Sequence, residues 1–129
     1  MNRLRQGIIM KNILVVDDTI VNLKMAEMVL KETYKPYLVP SGEMAIRFLK
    51  KKIPDLILLD VLMPDMDGFE TLQAIRNETE AAAVPVVFLT ADTDEETRKK
   101  AQEFLVSDFV LKPFQKETLL NSVKKIIGQ

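Results

Sequence analysis

Pro54-Asp55-Leu56-Ile57-Leu58-Leu59-Asp60 decides the fold of this 129-residue chain. A proline opens the stretch, an acid closes it, and the residues from Leu56 to Leu59 are apolar without alternation. That is the pattern of a central strand covered on both faces, the condition of parallel sheets sandwiched between helices. Outward from it the same unit recurs. Strands are predicted over residues 12–17, 37–39, 55–59, 86–90 and 108–112, and helices over 22–32, 43–51, 69–77, 94–105 and 116–127, the last with an apolar stripe at Leu119, Leu120, Val123, Ile126 and Ile127. Strand and helix alternate five times, which predicts an α/β, doubly wound (βα)5 flavodoxin-like sandwich. Its parallel five-stranded sheet would run in the order 2-1-3-4-5. Pro36 suits the edge position that this order gives the second strand, because proline cannot donate to a ladder.

Composition narrows the chemistry. Eighteen basic residues face nineteen acidic ones for a net charge of -1, with no charged tail, so nothing points to direct nucleic-acid or membrane binding. The length suits one folded domain. Cysteine and histidine are both absent, which removes thiolate nucleophiles, zinc-type ligand sets and an internal phosphohistidine, and fits a cytoplasmic location. No apolar run reaches membrane-spanning length. Residues 1–10 read as an N-terminal extension or tag, and 11–129 as the domain.

Four predicted strands end in reactive side chains: Asp17-Asp18, Asp60, Thr90 and Lys112. Parallel strands bring their carboxyl ends to one edge, so three carboxylates, a hydroxyl and an amine converge there. Like charges about 4 Å apart repel by roughly 4 kcal/mol at an effective dielectric near 20. Hard oxygen donors without His or Cys favour magnesium, with manganese as a substitute, over zinc. A cation flanked by lysine and threonine suits a phosphoryl group, and Asp60 is placed as a carboxylate nucleophile. Each residue has a plainer reading alone: Asp17 and Asp18 as helix caps, Asp60 as a turn residue, Thr90 as a strand end, Lys112 as a solvated cation. Jointly those readings require a coincidence at four strand ends.

The strings Ile13-Leu14-Val15-Val16-Asp17-Asp18, Asp60-Val61-Leu62-Met63-Pro64-Asp65-Met66-Asp67-Gly68, Leu89-Thr90-Ala91 and Leu111-Lys112-Pro113-Phe114 resemble the receiver domain of bacterial response regulators. The match runs from about Lys11 to Gly128. The resemblance implies a phosphoacceptor switch rather than a turnover enzyme. Asp60 would accept a phosphoryl group from a sensor histidine kinase, a histidine phosphotransfer protein or a small donor. Asp18, Asp60 and the Leu62 backbone carbonyl would hold magnesium, with Asp17 acting through water. Lys112, Thr90 and the Ala91 N–H would bind phosphoryl oxygens, Phe109 would turn inward as Thr90 moves, and the Lys112-Pro113 bond would be cis. A downstream protein or output domain would read the face formed by the fourth helix, fifth strand and fifth helix, the domain being a monomer or a weak phosphorylation-dependent dimer.

Two departures from the family pattern stand out. Leu105-Val106 occupies the turn where receivers carry Gly-Ala, which predicts an altered turn, since a non-glycine residue at positive φ is costly. Leu62 and Asp92 occupy positions that resemble the family's tuning sites for phosphoryl lifetime. In the first helix, apolar residues spread over more than half of the helical wheel, wider than a core stripe. Ile20, Leu23 and Met28 are therefore expected at an exposed patch where a phosphodonor docks. Two other classes fit less well. A haloacid-dehalogenase-type phosphatase resembles Asp-x-Asp, where Leu62 stands instead of the second acid, and a flavodoxin-like electron carrier would find its flavin phosphate repelled by Asp17-Asp18.

Overall fold

The computed structural model describes residues 9–91 and 94–129. Ten elements alternate: β1 (Asn12–Val16), α1 (Ile20–Leu30), β2 (Lys35–Val39), α2 (Gly42–Leu49), β3 (Leu56–Asp60), α3 (Gly68–Glu78), β4 (Val86–Thr90), α4 (Glu95–Glu103), β5 (Asp108–Leu111) and α5 (Lys116–Ile127). All strand pairs are parallel, in the order β2-β1-β3-β4-β5.

Every residue of β3 is buried because the sheet has a core on each side. Leu14, Val16, Ile57, Leu59 and Phe88 face one core, which α2 and α3 close with Ile46, Leu49, Leu72 and Ile75. Ile13, Val15, Leu56, Leu58 and Leu89 face the other, closed by Leu23, Ala26 and Leu30 of α1 and by Leu119 and Val123 of α5. Period-two alternation is therefore present in the packing but invisible in the sequence, since both faces want apolar residues.

The rims of the sheet are blunted. The Lys35 N–H donates to Lys11 and Val39 accepts from Asp17, so residues 35, 37 and 39 bond toward β1, and 36, 38 and 40 face outward. Two of those outward positions are Pro36 and Pro40, which lack an N–H. On the opposite rim the Lys112 N–H donates to the Thr90 carbonyl, which turns the Phe109 backbone N–H outward, where the Asp108 carboxylate takes it at 2.8 Å, while the Phe109 ring packs against the core.

The expected altered turn after α4 is not what forms. Leu105 adopts φ 58°, the Leu105 N–H donates to Gln102 and the Val106 N–H to Ala101. This is the ordinary Schellman closure with leucine in the left-handed position. Leu105 is 79% exposed, so no side-chain clash adds to the backbone cost, while Val106 packs against the core. α1 begins two residues earlier than predicted because Thr19, extended, is its N-cap. Among the described residues no helix is long and apolar enough to cross a membrane.

Candidate functional site

Four of the five strands, all but β2, deliver functional groups to the carboxyl side of the sheet. β1 runs straight into Asp17, which is buried. Its Oδ1 accepts from the Thr19 N–H at 2.9 Å and lies 3.5 Å from Asn22 Nδ2, and its Oδ2 accepts from Lys112 Nζ at 2.6 Å. Asp17 is therefore not the cap of α1, which is Thr19; one of its oxygens supports the turn through the Thr19 N–H and the other faces Lys112. Asp60 ends β3 at 4% exposure. Its Oδ1 accepts from the Leu62 N–H at 3.3 Å, and its Oδ2 lies 3.3 Å from Lys112 Nζ. Asp18 is exposed beside them.

One carboxylate oxygen from each of Asp17, Asp18 and Asp60 falls within 4.8 Å of the others. Lys112 alone, bound to two of the three, does not cancel that charge. Burial pushes the Asp60 carboxyl up to about 6; Lys112 and the Leu62 N–H pull it down, and Asp17 pushes it further up. An all-oxygen, surplus-negative cluster with one exposed member fits a hard divalent cation such as magnesium.

The loop after β3 is folded back by Gly68, whose N–H donates to the Val61 carbonyl at 2.8 Å. A Cβ at Gly68 would stand 2.5 Å from the Asp60 carbonyl oxygen, so only glycine lets α3 begin this close to the acid. Asp65, at φ 67°, turns the loop, and Asp67 with Glu70 forms a capping box that starts α3.

Thr90 closes β4, fully buried, with its carbonyl accepting from the Lys112 N–H at 2.8 Å. Ala91 follows at the surface, while Asp92 lies outside the described residues. The Lys112–Pro113 peptide bond is cis. Phe109 is half-buried on β5, pairing with Phe88 in register, with the Arg98 guanidinium 5.1 Å from its ring centre. It belongs to the same edge but not to the carboxylate cluster. The Leu62 side chain is 57% exposed.

On α1, Ile20 (70% exposed), Val21 (62%), Met25 (41%) and Met28 (66%) form an outward arc. Leu23 is a correction to the sequence reading: it is 6% exposed and packs with Ala26 and Leu30 in the core. The wide apolar arc could not tell which of its sides met the sheet. Sequence reasoning also missed the support of Asp17 by Thr19 and Asn22. The signal was an amide side chain five residues after an acid, in the first turn of a helix.

Comparison with known proteins agrees with this architecture. The family described as the response regulator receiver domain matches residues 13–124. The chain is 37% identical over 142 residues to "Probable histidine kinase 4" of Oryza sativa subsp. japonica, covering 92% of this chain and 14% of that protein. It is 35% identical over 115 residues to "Response regulator PleD" of Caulobacter vibrioides, covering 88% and 25%. The chain therefore spans a quarter or less of these curated relatives. Among solved structures, Vibrio cholerae chemotaxis protein CheY4 superposes with TM-score 0.85 at 30% identity, covering 91% of this chain and 98% of that one. The receiver domain of sensor histidine kinase PA1611 from Pseudomonas aeruginosa, with a magnesium ion coordinated in its active site cleft, gives 0.83 at 30%, covering 93% and 99%. With the sheet order, the acid-lined edge and these likenesses in hand, the chain belongs to the response regulator receiver domain family, a signalling domain of two-component systems.

Proposed function

We propose that residues 11–129 work as a phosphoacceptor switch in which Asp60 takes a phosphoryl group from a partner's phosphohistidine. The observation that carries this reading is the buried Asp60 carboxylate, held between Lys112 Nζ at 3.3 Å and the Leu62 N–H at 3.3 Å beside two further acids. An Asp60 oxygen attacks phosphorus, the donor's P–N bond breaks with its electrons staying on the imidazole, and an acyl phosphate forms. Lys112 pairs with the phosphoryl oxygens, and the Thr90 hydroxyl with the Ala91 N–H binds another. Asp18, Asp60 and the Leu62 carbonyl, with Asp17 through water, would hold magnesium, which would supply charge neutralisation at the transferring group. Thr90 and Phe109 then shift, and the α4–β5–α5 face controls a partner or output domain by population shift.

The phosphodonor is a sensor histidine kinase or a histidine phosphotransfer protein. It docks on the α1 arc, with Ile20 and Met28 joined by Val21 and Met25 in place of Leu23. The domain acts in the cytoplasm as a monomer or weak phosphorylation-dependent dimer, without direct nucleic-acid or membrane contact, and residues 1–10 are an extension to it. The test is intact mass after incubation with magnesium and a small acyl-phosphate donor. A labile single-phosphoryl adduct is expected for wild type, absent in Asp60→Asn and absent with chelator. An adduct that survives Asp60→Asn defeats the assignment.

A further inference from the structure

α4 is the helix least held by burial: Ala101 is its one buried residue. Ring contacts help to fix it. Phe104, its C-cap, leans on Phe69 with ring centres 5.2 Å apart, Lys100 Nζ sits 4.5 Å over the Phe69 ring, and the Arg98 guanidinium sits 5.1 Å over Phe109. Arg98 has an acid within the same neighbourhood, Asp108, but that carboxylate is engaged elsewhere. It accepts from the Ser122 hydroxyl at 2.7 Å, Lys125 Nζ at 3.2 Å and the Phe109 N–H at 2.8 Å. Arg98 and Phe109 also border a cavity of about 150 Å³ between α4 and β5, with Ala101, Gln102 and Val106. The ring thus has free volume beside it and a cation over its face.

We infer that Arg98 is a positioning residue that clamps Phe109 and α4 in the resting arrangement, so that it sets how readily the phosphorylated arrangement is reached. This rests on the proposed switch. A ring that turns inward leaves the guanidinium without its face, so the contact stabilises one state only, and a contact of that kind biases the equilibrium by its full worth. Breaking it shifts the equilibrium by roughly two- to five-fold, the range of an exposed cation–ring contact.

The experiment exploits the absence of tryptophan from this chain: Phe109→Trp gives a single emission signal on the ring in question. Magnesium and beryllofluoride, a phosphoryl mimic, are titrated into Phe109→Trp with and without Arg98→Ala, and Arg98→Lys serves as the variant that keeps a cation. Expected for Arg98→Ala are a midpoint two- to five-fold lower and a starting emission moved toward the saturated value, with Arg98→Lys in between. Hydrogen exchange of α4 amides in the wild-type-ring background, without metal, should quicken by a similar factor. Unchanged midpoint and unchanged α4 exchange overturn the clamp. If beryllofluoride leaves the parent's emission unmoved, the phosphoacceptor reading fails instead, and the α4 exchange rates alone decide whether Arg98 holds the helix.

Discussion

Asp60 sits at the balance point of two opposed demands, burial that disfavours its charge and a lysine that favours it. Its carboxyl is raised to about 6 from 3.8, so between those values the folded state binds more proton than the unfolded chain. The stabilisation from protonated Asp60 is complete below the unfolded value and is lost as pH rises through about 6. At neutral pH the ionised group is therefore a cost to the metal-free fold. Asp60→Asn should raise metal-free stability at pH 7.5 by about 1–2 kcal/mol, allowing for its coupling to Asp17 and Lys112. Urea unfolding at pH 7.5 and 4.5 checks this, since the gain should shrink at the lower pH. Lys112→Met removes the cation that bridges two buried acids and should cost about 3 kcal/mol without divalent cation. Magnesium should restore more of that loss than it adds to wild type, read as the shift in unfolding midpoint. At this scale the sequence was legible wherever a reactive residue ended a strand. It was silent on the contacts of Thr19 and Asn22 with Asp17, because which groups reach that carboxylate depends on the turn that β1 makes into α1.

Elements were legible where pattern and geometry coincide. β3 announces itself through its unbroken apolar run. The sides of α1 could not be assigned, because a helix apolar around most of its circumference carries little phase information, and so Leu23 was misplaced while Ile20 and Met28 were not. The α4–β5 turn misled for a different reason. A left-handed leucine costs roughly 1–2 kcal/mol locally, yet two hydrogen bonds and the packing of half-buried Val106 against the core hold it there. Leu105→Gly should therefore stabilise the domain by about 0.5–1 kcal/mol, the relief of backbone strain less the extra unfolded-state entropy of glycine. The denaturation midpoint should rise with unchanged slope. Gly68→Ala should do the reverse. With its Cβ 2.5 Å from a main-chain oxygen, the start of α3 must retreat, at roughly 3 kcal/mol. If Gly68→Ala unfolds at the wild-type midpoint, the close approach is not structural.

Over the whole molecule, the net charge of -1 conceals an acidic rim. Parallel strands put every helix start at the carboxyl edge of the sheet, and acids favour helix starts. Asp18, Glu43, Asp65, Glu70, Glu95 and Glu96 are all exposed around the site. The opposite end is mixed: exposed Lys31, Lys35, Lys50, Lys51, Lys124 and Lys125 stand there with exposed Glu32, Asp55, Glu78, Glu80 and Glu103. The composition does not report the acidic rim, and the fold is needed to gather it. An anionic small phosphodonor approaches a negative rim, so its rate of adduct formation should rise about two- to three-fold between low and physiological ionic strength as the repulsion is screened. A rate that falls with salt would mean that the rim does not govern access.

The blunted rims have a consequence for life among other copies and other domains. An incoming chain finds no donor at Pro36 or Pro40 and, on the far side, a donor at Phe109 already held by the neighbouring acid. Too few rungs remain for a ladder, so the sheet ends where the domain ends. Crowding, heating or fusion to another β-rich module should therefore lead to separate refolding rather than to fibrils seeded from its edges.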